Sequence, residues 1–132
     1  MSSTPAGQLR TALPPTADSV PRARELIRSL YASTGVDADS DTVLLLVSEL
    51  VSNAVRHAGG AVEVCARQVG STLRVEVSDG SATMPQVQVH SIESTGGRGL
   101  QMVDELADRW GVDALAAGAG KTVWFEIGPD IA

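Results

Sequence analysis

Val43-Leu-Leu-Leu-Val-Ser-Glu49-Leu-Val-Ser-Asn53-Ala-Val-Arg-His57 is the stretch on which the fold turns. Glu49, Asn53 and His57 recur at four-residue steps, and a helix places such residues one turn above another along a single stripe. Arg56 falls beside them. Val43, Val47, Leu50, Val51 and Ala54 take the opposite arc, with Leu45 and Leu46 flanking the polar stripe. A helix apolar around most of its circumference is a buried helix, so Glu49 and Asn53 are expected to face an internal cleft. An ionised glutamate is costly to bury without a partner, which marks the stripe as a candidate site. The competing reading of the same stripe is an ordinary solvated face.

Outward from this helix the punctuation is clear. Ser19 is expected to cap an earlier helix with Pro21 in its first turn, carrying Leu26, Ile27, Leu30 and Tyr31 on one face and closed by Gly35. Asp39 or Ser40 caps the long helix, and Gly59-Gly60 stops it. Ala61–Arg67 and Thr72–Asp79 alternate with period two around Gly70-Ser71, predicting a hairpin with Val62, Val64, Leu73, Val75 and Val77 inward and Cys65 on the other face. Gln8–Leu13, ended by Pro14-Pro15, suits an edge strand. Ser81–Thr95 has neither period, contains Pro85, and reads as a mobile loop of functional length. A third helix follows, with Leu100, Val103, Leu106 and Ala107 on one side, then strands near Arg109–Ala114 and Thr122–Ile127. Trp110, Trp124, Phe125 and Tyr31 read first as core. The expected architecture is an α/β (α+β) two-layer sandwich, a mixed and mostly antiparallel sheet covered on one face by helices. Residues 1–8 form a tail and 9–128 one domain.

Composition narrows the function. A chain of 132 residues with 43% hydrophobic content can bury a core unaided. The lone Cys65 allows no internal disulfide, and with only His57 and His90 beside it a structural zinc site is nearly excluded. Cys65 itself reads as a packed small hydrophobe. There is no membrane-length apolar run and no signal-peptide pattern at Met1–Gln8, so a cytoplasmic protein is expected. A net charge of −6 and 3% aromatic content argue against direct nucleic-acid binding, which needs clustered cations and stacking platforms. Arg22, Arg24 and Arg28 on the first helix read as a solvated basic face before a docking surface.

Gly96-Gly97-Arg98-Gly99-Leu100 opens the third helix, where successive backbone N–H groups and the helix dipole can hold phosphate oxygens. The same residues also suit a plain flexible connector. Two stronger phosphate motifs fail on their residues. Gly120-Lys121-Thr122 imitates the end of a P-loop, but Leu115 stands where its first glycine belongs and a strand begins where its helix should. Gly97-Arg98-Gly99 imitates a dinucleotide fingerprint, yet Met102 replaces the third glycine and no strand precedes it.

Taken together, Glu49-Leu-Val-Ser-Asn53-Ala-Val-Arg-His57, Val77-Ser-Asp79-Gly-Ser81 and Gly97-Arg98-Gly99-Leu100 resemble the motifs of the GHKL ATPases, the superfamily of gyrase and histidine-kinase catalytic domains. The resemblance is closest to the small anti-sigma-factor serine kinases and spans Leu9 to Ile127. It implies that Asn53 ligates a Mg²⁺ bridging the phosphates of ATP, and that Glu49 is the general base toward a serine hydroxyl. By the same resemblance Asp79 accepts the adenine amino group, with Ser81 in the same motif. Gly97, Arg98, Gly99 and Leu100 end a lid over the phosphates, and Thr122 places a hydroxyl near Asp79. His57 either touches phosphate or faces the helix dipole. Ser81 and Thr83 stand where the family motif has glycines. The implied function is an ATP-dependent serine/threonine kinase that binds a sigma factor and phosphorylates its antagonist, commonly as a homodimer. The alternative is a nucleotide-gated binding module of the same fold without phosphoryl transfer.

Overall fold

The computed structural model describes residues 8–34, 40–57, 60–80, 95–114 and 120–128. Its elements run β1 (Gln8–Leu13), α1 (Ser19–Thr34), α2 (Ser40–His57), β2 (Val62–Val69), β3 (Thr72–Asp79), α3 (Thr95–Leu106), β4 (Arg109–Ala114) and β5 (Lys121–Ile127). The five strands form one sheet in the order β1-β2-β3-β5-β4. Every neighbouring pair is antiparallel, so the described sheet holds no parallel step. This is an α+β two-layer sandwich.

Alternation assigns the two faces. Leu73, Val75 and Val77 of β3 and Val123, Phe125 and Ile127 of β5 are buried toward the helices, together with Val62, Val64 and Ala66 of β2. Helix α2 lies across this layer with α1 on one flank and α3 on the other. It contributes Val43, Leu46, Val47, Leu50, Val51 and Ala54 to the core. Leu45, beside the polar stripe, is 39% exposed, and the apolar arc is filled without it. Leu106 stands 43% exposed at the last turn of α3.

Trp124 is also corrected. It shares the face of β5 away from the core, beneath the Arg74 guanidinium at 4.1 Å, while Phe125 alone of the two enters the core. Gly111 faces it across the β4–β5 ladder, where a Cβ would stand 2.7 Å from the indole ring. Ser19 does not cap α1 with its side chain. Its buried hydroxyl donates to the Pro14 carbonyl at 2.5 Å, tying the end of β1 to the start of α1. The carbonyl of Asp18 accepts from the Arg22 N–H and so opens the helix. The β2–β3 hairpin turns at Gly70, whose φ of 63° is the left-handed value that glycine adopts without strain. Gly35, Asp39, Gly59, Ser81, Thr83, Pro85 and His90 lie outside the described residues, as does the expected loop Ser81–Thr95 except for Thr95, which opens α3.

Candidate nucleotide site

Glu49 and Asn53 project from one stripe of α2, both half-buried. Glu49 lines an open cleft of about 320 Å³ between α2 and α3, whose other wall is Gln101, Met102 and Glu105. Two of these wall residues, Gln101 and Glu105, are separated by one helical turn, and their part in the site was not anticipated. The amphipathic period of α3 carried that signal, since Gln101 and Glu105 are polar on the arc beside Met102. One turn beyond Glu49, the carboxamide oxygen of Asn53 accepts a hydrogen bond from the Arg56 guanidinium. An oxygen so placed is a hard donor suited to Mg²⁺. His57 closes α2, and its side chain is outside the described residues.

Helix α3 begins at Thr95, two residues before Gly97. The first four amides of a helix have no intrahelical acceptor, which leaves Gly97 and Arg98 within the anion-holding turn. Gly99 and Leu100 sit one step further, where amides enter the helical ladder, so the expected run of donors is displaced toward the N-terminus. The side chains of residues 95–100 are outside the described residues.

The second half of the site is a pair of strand ends. Asp79 ends β3 and Lys121 opens β5, and the two are opposed in register. Both point to the helix side. The Lys121 ammonium donates to an Asp79 carboxylate oxygen at 3.0 Å, with side-chain exposures of 8% and 4%. Gly120 makes the approach possible: its φ is 133°, and a Cβ there would stand 2.0 Å from the Asp79 carbonyl oxygen. The expectation of a Thr122 hydroxyl near Asp79 is corrected by this register. Residues 121 and 122 must face opposite sides of the sheet, and Thr122 bonds Ser78 at 2.7 Å on the far face. Lys121 is the residue that sequence reasoning missed at Asp79. Its parity with Val123, Phe125 and Ile127 was the available signal.

That far face is a lattice of charge. Arg74 bridges Glu76 at 2.8 Å and Glu126 at 2.9 Å, and Arg10, Arg67 and Arg109 pair more loosely with Glu63, Glu76 and Glu126. Burial works against the charge of Arg74, but the hydrogen bonds it donates to Glu76 and Glu126, with their negative charge, outweigh it and hold the guanidinium above its ordinary value. Cys65 is buried in this face beside Gln8, and no group of three or more metal-ligating acids, histidines or cysteines occurs among the described residues.

A pattern describing the histidine kinase-like ATPase domain matches residues 13–127. The chain belongs to this family. The match runs from the last residue of β1 to the end of β5 and therefore takes in Glu49, Asn53, Asp79 and the start of α3 together. Among curated proteins no match to the chain is found. Membership implies an ATP-binding domain with a regulatory role, ATP being bound typically with Mg²⁺. The donor set fits that group. Asn53 and Glu49 offer hard oxygens on one stripe, the first turn of α3 offers backbone donors for phosphate, and Asp79 offers a buried acceptor for a base amine. When bound, Mg²⁺ would neutralise phosphate charge. The chain's own part is to hold Glu49 in the α2–α3 cleft and to keep water from Asp79. No described helix is long and apolar enough to cross a membrane.

Proposed function

We infer that this protein is an ATP-dependent regulatory serine/threonine kinase of the anti-sigma type, which binds a sigma factor and phosphorylates a serine on the antagonist that would release it. The observation that carries the reading is Glu49 on the wall of the α2–α3 cleft, one helical turn from Asn53. A site that only sensed nucleotide would need Asn53 for the metal and Asp79 for the base. A carboxylate facing open space beside them suits a group that must meet a second substrate. In that role Glu49 orients or deprotonates the attacking hydroxyl, while Arg98 and the first amides of α3 offset charge on the transferring phosphoryl group. Control of transcription and a homodimeric state accompany this reading by resemblance, and a cytoplasmic location accords with the sequence's lack of a signal-peptide pattern.

The test is transfer of labelled phosphate from Mg²⁺-ATP to candidate antagonist proteins. Glu49→Gln should lower transfer by about 10²-fold or more while leaving nucleotide affinity nearly unchanged, because a base acts on the hydroxyl and barely on bound ATP. Nucleotide-dependent partner binding by a wild type that transfers no phosphate would instead establish the binding-module alternative.

A further inference from the structure

We propose that Lys121 is a specificity-determining residue of the nucleotide site, its ammonium donating to the ring nitrogen N1 of adenine while Asp79 accepts from the exocyclic amine. This deepens the reading above and rests on its assignment of Asp79 to the base.

The first ground is chemical order. Asp79 and Lys121 present an acceptor and a donor 3.0 Å apart on neighbouring strand ends. The edge of adenine offers the complement, an N–H donor at the amine and a lone-pair acceptor at the adjacent ring nitrogen. An ammonium has three N–H donors. Among the described residues one of them is used, on Asp79. Guanine would set its carbonyl oxygen against the carboxylate and its ring N–H against the ammonium, so both contacts become unfavourable at once.

The second ground is placement. Asp79 and Lys121 are the last pair of the β3–β5 ladder, and the strand residues preceding them on the helix side are Val77 and Val123. A buried ion pair is a weak stabiliser compared with packed apolar groups of the same volume, and core packing alone gives no reason for one here. It is also held rigidly. Gly120, at a φ of 133°, presses its backbone against Asp79 and Gly80, which sets where the Lys121 stem begins. A donor positioned in this way needs little reorganisation on meeting a base.

The experiment is binding calorimetry with ADP and 1-deaza-ADP, in which N1 is replaced by a C–H group, on the whole chain and on Lys121→Met. Wild type should bind the 1-deaza nucleotide about 10- to 100-fold more weakly, the range for losing a charged hydrogen bond. Lys121→Met should bind the two within about twofold of each other, the ammonium being the only group the proposal places at N1. If Lys121→Met does not fold, Lys121→Gln carries the comparison and should shrink the preference to a few-fold. Equal affinity of wild type for both nucleotides overturns the proposal and leaves Lys121 as a counter-ion, with the adenine reading intact. A preference that survives both variants overturns it as well, since another donor must then serve N1. Failure of wild type to bind any adenine nucleotide removes the proposal and the reading beneath it together.

Discussion

On the helix side of the sheet the charged strand residues are Asp79 and Lys121, nearly sealed from solvent and paired only at the strand ends. On the far side Arg10, Glu63, Arg67, Arg74, Glu76, Arg109 and Glu126 spread over the strands, each within reach of water and most sharing a partner. Both faces belong to the same strands, and one step along β3 separates Ser78 from Asp79. The difference shows that the physical meaning of an ion pair is set by what lies above it. Under helices, removing one partner strands a charge in a medium that cannot solvate it. Facing solvent, water replaces whatever is lost, and the network contributes shape and register more than energy.

The sharpest way to break this comparison is Lys121→Met. It should destabilise the protein by about 3–5 kcal/mol in urea unfolding at pH 7, because Asp79 is left buried without its counter-ion. Adding Asp79→Leu should restore stability to near the wild-type value or above it. A single variant within about 1 kcal/mol of wild type would mean that the pair is solvated after all.

Gly111→Ala tests the far face as a packed surface. Its Cβ would meet the Trp124 ring at 2.7 Å, and the ring is held from its other side by Arg74. A loss of about 1–3 kcal/mol is expected, with altered tryptophan fluorescence as the independent sign that the indole has moved. The smallest effect belongs to Arg74→Met, which removes contacts to Glu76, Glu126 and Trp124 yet should cost about 1 kcal/mol. Raising salt should shrink that difference, and it should leave the Lys121→Met deficit almost untouched, since buried pairs are screened far less.

The places where reading and structure part company share one cause. The strand and helix boundaries were legible because alternation and the four-residue period are local, and Gln8–Leu13, Thr72–Asp79 and Arg109–Ala114 appear as expected. Glu49 was legible for the same reason, as an acid in the middle of a largely apolar helix. Thr122 was placed beside Asp79 by motif order, which ignores parity. Trp124 was read as core along with the other aromatic residues, although its alternation with Phe125 already set it on the other face. Leu106 shares a helix side with the buried Val103 yet stands exposed, because burial depends on what the neighbouring elements cover as well as on helical phase.

By itself the sequence determined which residues share a face of each strand and each helix, since side-chain direction follows from backbone geometry that every residue carries. It therefore already held Asp79 in line with Val77, and Lys121 in line with Val123. What only the tertiary structure decided is that these two lines meet. The order β1-β2-β3-β5-β4 inserts the last strand between β3 and β4 and brings together residues 42 apart in the chain. Backbone ladders are much the same for any sequence, so pairing and register come from the joint fit of all the apolar faces beneath α2, which no single segment can report.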